Sequence, residues 1–139
     1  MVERVVDGDT FIARRGPGSP RLRVRIIGID APESVRPGTP PQCHGAQASA
    51  YLAGLLKERR VRAAYQLGRP QDRFGRELWD VWLPDGTFVA GQAVQLGNAR
   101  ALRLRPHVRH AAYLSATEAA ARMSGAGLWG ACPAVPSTQ

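Results

Sequence analysis

The sequence predicts an α+β domain that is mainly β: a five-stranded Greek-key barrel with three α-helices. Two observations predict it. Runs rich in Val, Ile, Tyr, Trp and Leu, punctuated by Gly and Pro clusters, make five strand-like segments. A helical stretch falls between the third and fourth of these, and two more follow the fifth.

Taken in order, Glu3 to Val6 and Thr10 to Arg14 read as strands, and Gly16, Pro17, Gly18 and Pro20 turn the chain into a third, Arg21 to Ile29. There Leu22, Val24, Ile26 and Gly28 alternate with Arg21, Arg23, Arg25 and Ile27, the period-2 pattern of a strand with one buried face. The arginine face is therefore expected to reach a ligand. Pro32 to Gln42 holds four prolines and a glycine and reads as a loop. From Gly45 to Arg60 the stripe Ala48, Leu52, Leu55, Leu56 predicts a helix, with Lys57, Arg59 and Arg60 expected at its negative end. Strands follow over Val61 to Leu67 and Glu77 to Leu83, the second closed by the turn Pro84, Asp85, Gly86.

A short helix is expected from Phe88 to Leu96, with Val89, Ala93 and Leu96 on one side and Gly97 as its stop. A longer one is expected from Val108 to Ser124, ended by Gly125 and Gly127. This order of elements is that of an OB barrel, whose face and loops commonly hold nucleic acid, although fold order alone does not establish function. One domain is expected over 1–132 and a disordered tail over 133–139.

The chain has 139 residues, enough for a single core, and its apolar content of 44% is too high for a disordered segment. A formal charge of +8, nearly all of the positive part arginine, favours a polyanionic partner. No apolar run approaches the roughly 20 residues that span a bilayer, so no membrane partner is expected. Nothing signals an oligomer, and a monomer is the default. Met1 to Val6 already reads as a strand, so any secretory leader would be absent from the sequence given.

The chemistry concentrates in three blocks: Asp7-Gly8-Asp9-Thr10, then Arg25 through Glu33 (Arg-Ile-Ile-Gly-Ile-Asp-Ala-Pro-Glu), then Asp72-Arg73-Phe74-Gly75-Arg76. Asp9 and Asp30 at strand ends offer hard oxygen ligands of the kind calcium takes, together with carbonyls and waters. Arg25 and Arg76 offer two guanidinium forks that could grip one phosphate bidentately. Glu33, three residues past Asp30, would stand beside the metal and orient or deprotonate a water. Phosphodiester hydrolysis needs such a set, because the attacked phosphate and the departing alkoxide are both negative. Singly, each block has a structural reading: the first is a turn, Arg25 a solvated strand residue and the third an exposed hairpin turn. Their joint occurrence carries the functional reading.

In these three blocks, and on through Gly127-Leu128-Trp129, the chain resembles the staphylococcal nuclease family. The resemblance implies a calcium-dependent endonuclease acting on DNA and RNA. Asp9, Asp30 and the Ala31 carbonyl would hold Ca2+, Glu33 would position the water, and Arg25 and Arg76 would hold the phosphate. It further implies in-line attack of hydroxide on phosphorus, leaving 3′-phosphate ends. Arg73 and Phe74 join the substrate contacts, Phe74 standing where the family has a tyrosine near the nucleotide phosphate. Arg103 and Arg105 occupy the stretch where the family's tyrosines stack on the base, so base preference is open. Ala31 replaces a threonine with little consequence, since its carbonyl is the group required. The alternative is a non-catalytic nucleic-acid-binding module of the same fold, or a protein-interaction domain with a basic surface.

Other residues read as structural. His44, His107 and His110 lack metal-ligand spacing and are expected at the surface, and Trp79, Trp82 and Trp129 are expected to pack in or beside the core. Glu118 shares the helical stripe of Ala111, Leu114 and Ala121 and is expected to pair with an arginine such as Arg100. Cys43 and Cys132, the only cysteines, sit at polar, Pro- and Gly-flanked positions that read poorly as core. A disulfide is expected between them. It points to an oxidising compartment and a secreted protein, with a cytoplasmic one as the alternative.

Overall fold

The computed structural model describes residues 1–34 and 38–133, so most of the expected tail and the centre of the proline-rich loop lie outside the described residues. The elements are β1 (Val2–Asp7), β2 (Thr10–Ala13), β3 (Leu22–Ile26), β4 (Ile29–Asp30), α1 (Gly45–Leu56), β5 (Arg62–Ala64), β6 (Glu77–Trp82), α2 (Val89–Gln95), β7 (Arg100–Ala101), α3 (Ala111–Ser124) and α4 (Leu128–Ala131). The α+β class holds. Five strands form one sheet in the order β1-β2-β3-β6-β5, antiparallel throughout except for the parallel pair β3–β6. Parallel neighbours require a long crossover, and α1 with β5 lies within it.

The expected closed barrel is corrected. Among the described residues no strand ladder joins β1 to β5, which are the two edge strands of the sheet, β5 only three residues long and paired with β6 alone. The gap is bridged by Val2, whose carbonyl accepts the Glu58 N–H and whose N–H donates to the Arg59 carbonyl, both at 3.0 Å. Those bonds also explain why α1 stops at Leu56 rather than Arg60. Glu58 takes a left-handed turn (φ 61°) toward β1, which leaves Lys57, Arg59 and Arg60 beyond the last helical turn.

The predicted strand Arg21–Ile29 is broken at Gly28, which divides it into β3 and β4. Gly28 has φ 87°, a turn conformation that favours glycine, and a Cβ there would stand 2.6 Å from Leu114 Cδ1 of α3, so that side chain would have to shift. Past the break, β4 leaves the main sheet and pairs with β7, a strand the pattern does not reveal. α2 begins after Phe88 and ends before Leu96, which is 45% exposed instead of packed. α3 starts at Ala111 rather than Val108, since the Arg109 N–H of the preceding segment donates to the side chain of Gln66, which in turn donates to Asp80 of β6. The short α4 was not expected; it buries Leu128.

The core gathers Phe11, Val24, Ile26 and Val81 from the sheet with Leu52 and Leu56 of α1 and Val89 and Val94 of α2, all essentially inaccessible. Each such side chain contributes roughly 1.5–3 kcal/mol through burial. Trp79 packs edge-on against Phe11. The Cys43–Cys132 disulfide is present, with Cα atoms 5.9 Å apart, and ties the start of α1 to the end of α4 across 89 positions. A loop of that length should make the double variant Cys43→Ser/Cys132→Ser less stable by up to about 4–5 kcal/mol. Urea unfolding measures this, and an unchanged midpoint would show that the bridge adds nothing to the fold.

Candidate active site

Asp9 follows the tight turn after β1 and is 6% exposed. Its Oδ1 accepts the Thr10 hydroxyl at 2.8 Å and its Oδ2 accepts the Ala31 N–H at 2.8 Å, joining the first motif to the second. Arg25, on the outer side of β3, reaches across the break at Gly28. Its Nη1 donates to the carbonyls of Ile26 (2.9 Å) and Ile29 (2.7 Å). Its Nη2 lies 3.5 Å from Asp9 and 3.6 Å from Asp30. Two carboxylates thus share one guanidinium, which leaves the group net negative. Asp30 keeps 60% of its side chain open to solvent. Partial burial raises its carboxyl above the ordinary value and Asp9 adds to the rise, while Arg25 and Arg100 oppose it.

Arg76 leaves a turn built by Asp72, whose Oδ1 accepts the N–H groups of Phe74 and Arg76 at 2.9 Å and whose Oδ2 accepts Arg76 Nε at 2.6 Å. Burial alone would raise the Asp72 carboxyl, but those bonds to Arg76 and Phe74 hold it below the usual range. The arrangement occupies Nε of Arg76 and leaves its terminal nitrogens for a ligand. Phe74 is 69% exposed, with the guanidinium carbons of Arg73 and Arg76 lying 4.9 and 5.5 Å from its ring centre.

Arg25, Arg73, Phe74, Arg76 and Arg105 line one cleft of about 440 Å³, together with Arg69, Leu102, Leu104 and His107. Five arginines against one carboxylate, Asp72, make it a receptor for an anion with an apolar part. Arg103 is not among its walls; it borders a recess against α3 with Glu118. Glu33 lines a separate small recess with Ser34 and the 39–42 segment. Its backbone is clamped by Gln42, which accepts the Glu33 N–H at 3.0 Å through its side chain and donates its own N–H to the Glu33 carbonyl at 2.9 Å. Gly45 packs against that carbonyl so closely that a Cβ would run into it.

Three positioning residues were missed by sequence reasoning. Asp7 accepts both the N–H and the hydroxyl of Ser34, next to Glu33, and Asp72 holds Arg76. Both stand inside the motifs already noted, as the first residue of each, and an aspartate before a Gly turn was a usable signal. Gln42 had none.

Other expectations need correction. The three histidines are half-buried and engaged: His44 with Asn98 at 2.8 Å, His107 with the Arg69 carbonyl at 2.8 Å, and His110 packed on Phe88 and 3.6 Å from Asp80. Glu118 accepts the Ala101 N–H at 2.7 Å and pairs with Arg122, not Arg100; Arg100 and Arg122 both lie over the ring of Trp129.

Among the described residues no cluster of three or more His, Cys, Asp or Glu side chains comes together in a form that could hold a metal. A hard cation here would rest on Asp9 and Asp30, completed by backbone carbonyl and water oxygens. That donor set, all oxygen and only partly neutralised by Arg25, fits calcium, which takes mixed carboxylate, carbonyl and water ligands. No helix among the described residues is long and apolar enough to cross a membrane.

The family model for staphylococcal nuclease homologues matches residues 23–131. The thermonuclease of Staphylococcus intermedius is 36% identical over 129 residues, covering 93% of this chain and 74% of that protein. The thermonuclease of Staphylococcus hyicus is 35% identical over 128 residues, covering 92% and 73%. An uncharacterized endonuclease of Escherichia coli O157:H7 is 33% identical over 98 residues, covering 70% and 57%. With a family model that matches residues 23–131 and relatives about 35% identical over more than nine-tenths of it, the chain belongs to the staphylococcal nuclease homologue family.

Proposed function

We propose that this chain is a calcium-dependent endonuclease that hydrolyses phosphodiester bonds in DNA and RNA. Family membership supports its being a nuclease, a phosphodiester hydrolase. The observation that carries the finer reading is the place of Arg25, which faces the carboxylates of Asp9 and Asp30 and also lines, with Arg76, the cleft rich in arginine. Asp9, Asp30 and the Ala31 carbonyl would hold the calcium, which when bound offsets negative charge on the phosphate.

In this reading Arg25 and Arg76 bind two phosphate oxygens through guanidinium nitrogens already oriented by Ile29 and Asp72, so little reorganisation is needed as charge builds on them. Glu33, on the loop clamped by Gln42 and Asp7, positions a water for in-line attack. A bond forms from that oxygen to phosphorus while the bond to the 5′ oxygen breaks, and a 3′-phosphate end remains. Phe74, Arg73 and Arg105 hold the nucleotide in the cleft, and Arg103 meets the chain further out. The disulfide supports an oxidising, extracellular setting, with the protein acting as a monomer.

Incubation with plasmid and with RNA, with calcium or with excess chelator, tests the reading. Fragments of both substrates are expected with calcium, and at least about a 10²-fold slower appearance with chelator. Undiminished cleavage in chelator would remove the metal assignment. Binding without cleavage in calcium would instead identify a non-catalytic module.

A further inference from the structure

The outer face of β1–β3 carries arginines that acidic neighbours do not neutralise. In β3 the buried residues Val24 and Ile26 face the core, so Arg23 and Arg25 face outward, with Arg21 next in the same row. Arg23 stands opposite Ile12 of β2, and Ile12 opposite Arg4 of β1, so Arg4 and Arg23 flank Ile12 on this face. A register shift between Val2 and Arg4 turns Glu3 to the same side, where it pairs with Arg14 and, at 3.0 Å, with Arg21. Glu3 is thereby shared between two cations. Among the described residues, neither Arg4 nor Arg23 has an ion-pair partner, and both are exposed.

We propose that this face is a track for single-stranded nucleic acid, its phosphates running from Arg25 in the cleft past Arg23 toward Arg21 and Arg4. The proposal rests on the nuclease reading and extends it to the part of the substrate outside the cleft. Alternate residues of a strand recur roughly every 6.6 Å, an interval suited to successive phosphates of a stretched single strand. The row along β3 is one residue wide with Arg4 beside it across Ile12, a strip that suits one backbone rather than a duplex. Its floor between Arg4 and Arg23 is Ile12, with no aromatic side chain for a base, so the contacts are to phosphate and blind to sequence. The track is continuous with the active site because Arg25 belongs to both.

Fluorescence anisotropy with a labelled 16-residue oligothymidylate and with a dinucleotide tests it, using the intact protein in chelator so that nothing is cut. Arg4→Gln/Arg23→Gln should weaken binding of the long strand roughly 10-fold at about 0.1 M salt and lower the salt slope by about 0.7 per arginine removed. Dinucleotide binding should not change. Arg60→Gln, on the connection after α1, should leave both unchanged, and Arg4→Lys/Arg23→Lys should restore the slope. An unaltered slope, an equal loss on the dinucleotide, or an equal loss in Arg60→Gln would overturn the track. Thermal melting separates these outcomes from misfolding. Wild-type protein that fails to cut plasmid in calcium would refute the nuclease reading, while the binding series still decides the track.

Discussion

Arg25→Ala and Arg76→Ala should each lower kcat/KM by at least about 10²-fold, because each removes a donor already aimed at the charge that develops on the phosphate. The two should differ in stability. Arg25 also satisfies the Ile26 and Ile29 carbonyls and faces buried Asp9, so its removal should cost about 1–3 kcal/mol of folding free energy. Arg76 leaves behind an Asp72 that still accepts the Phe74 and residue-76 backbone N–H groups, so that variant should melt close to wild type. Glu33→Ala should match the loss of activity. Losses of tenfold or less in all three variants, with folding intact, would move the active site elsewhere.

Asp9→Ala and Asp30→Ala should each raise the calcium concentration needed for half-maximal activity by at least roughly 10-fold, with partial rescue by added calcium. Calorimetric titration of calcium without substrate gives the same comparison independently of turnover. Here too burial divides the pair. Asp9 accepts the Ala31 N–H and the Thr10 hydroxyl at a site 6% exposed, so its loss leaves a buried donor unsatisfied and should also cost about 1–3 kcal/mol. The Asp30 side chain is 60% open to solvent, and its removal should hardly move the melting temperature. Wild-type calcium affinity in both variants would rule out the assigned ligands.

The local patterns in the sequence were reliable where one chain segment decides its own structure. Alternation in Leu22–Ile26 and the stripe Ala48, Leu52, Leu56 were legible because burial repeats with the period of the element. The two cysteines were legible as a bridge because neither had an apolar setting. The motif blocks also marked Arg25, Arg76, Phe74 and Asp30 before any fold was known, since turns and strand ends place side chains through local geometry.

What those patterns could not contain were the meetings of distant segments. The third strand breaks at Gly28, which takes φ 87°, because the residues beyond it pair with β7, a segment some seventy positions further along the chain, and only that pairing turns a plausible straight strand into β3 and β4. Among the described residues the sheet stays open because β1 meets the chain ahead of β5 only through the bonds of Val2 to Glu58 and Arg59, the same bonds that end α1 early. Likewise Glu118 chose Ala101 and Arg122, and Gln42 and Asp7 came to hold the Glu33 loop, through long-range hydrogen bonds with no sequence period. The sequence by itself determined which faces are buried and marked the blocks to which the chemistry is proposed to belong, because side-chain type and local repeat are written along the chain. The tertiary structure alone decided which carboxylates share Arg25 and which arginines line the cleft, because those depend on packing between segments far apart in sequence.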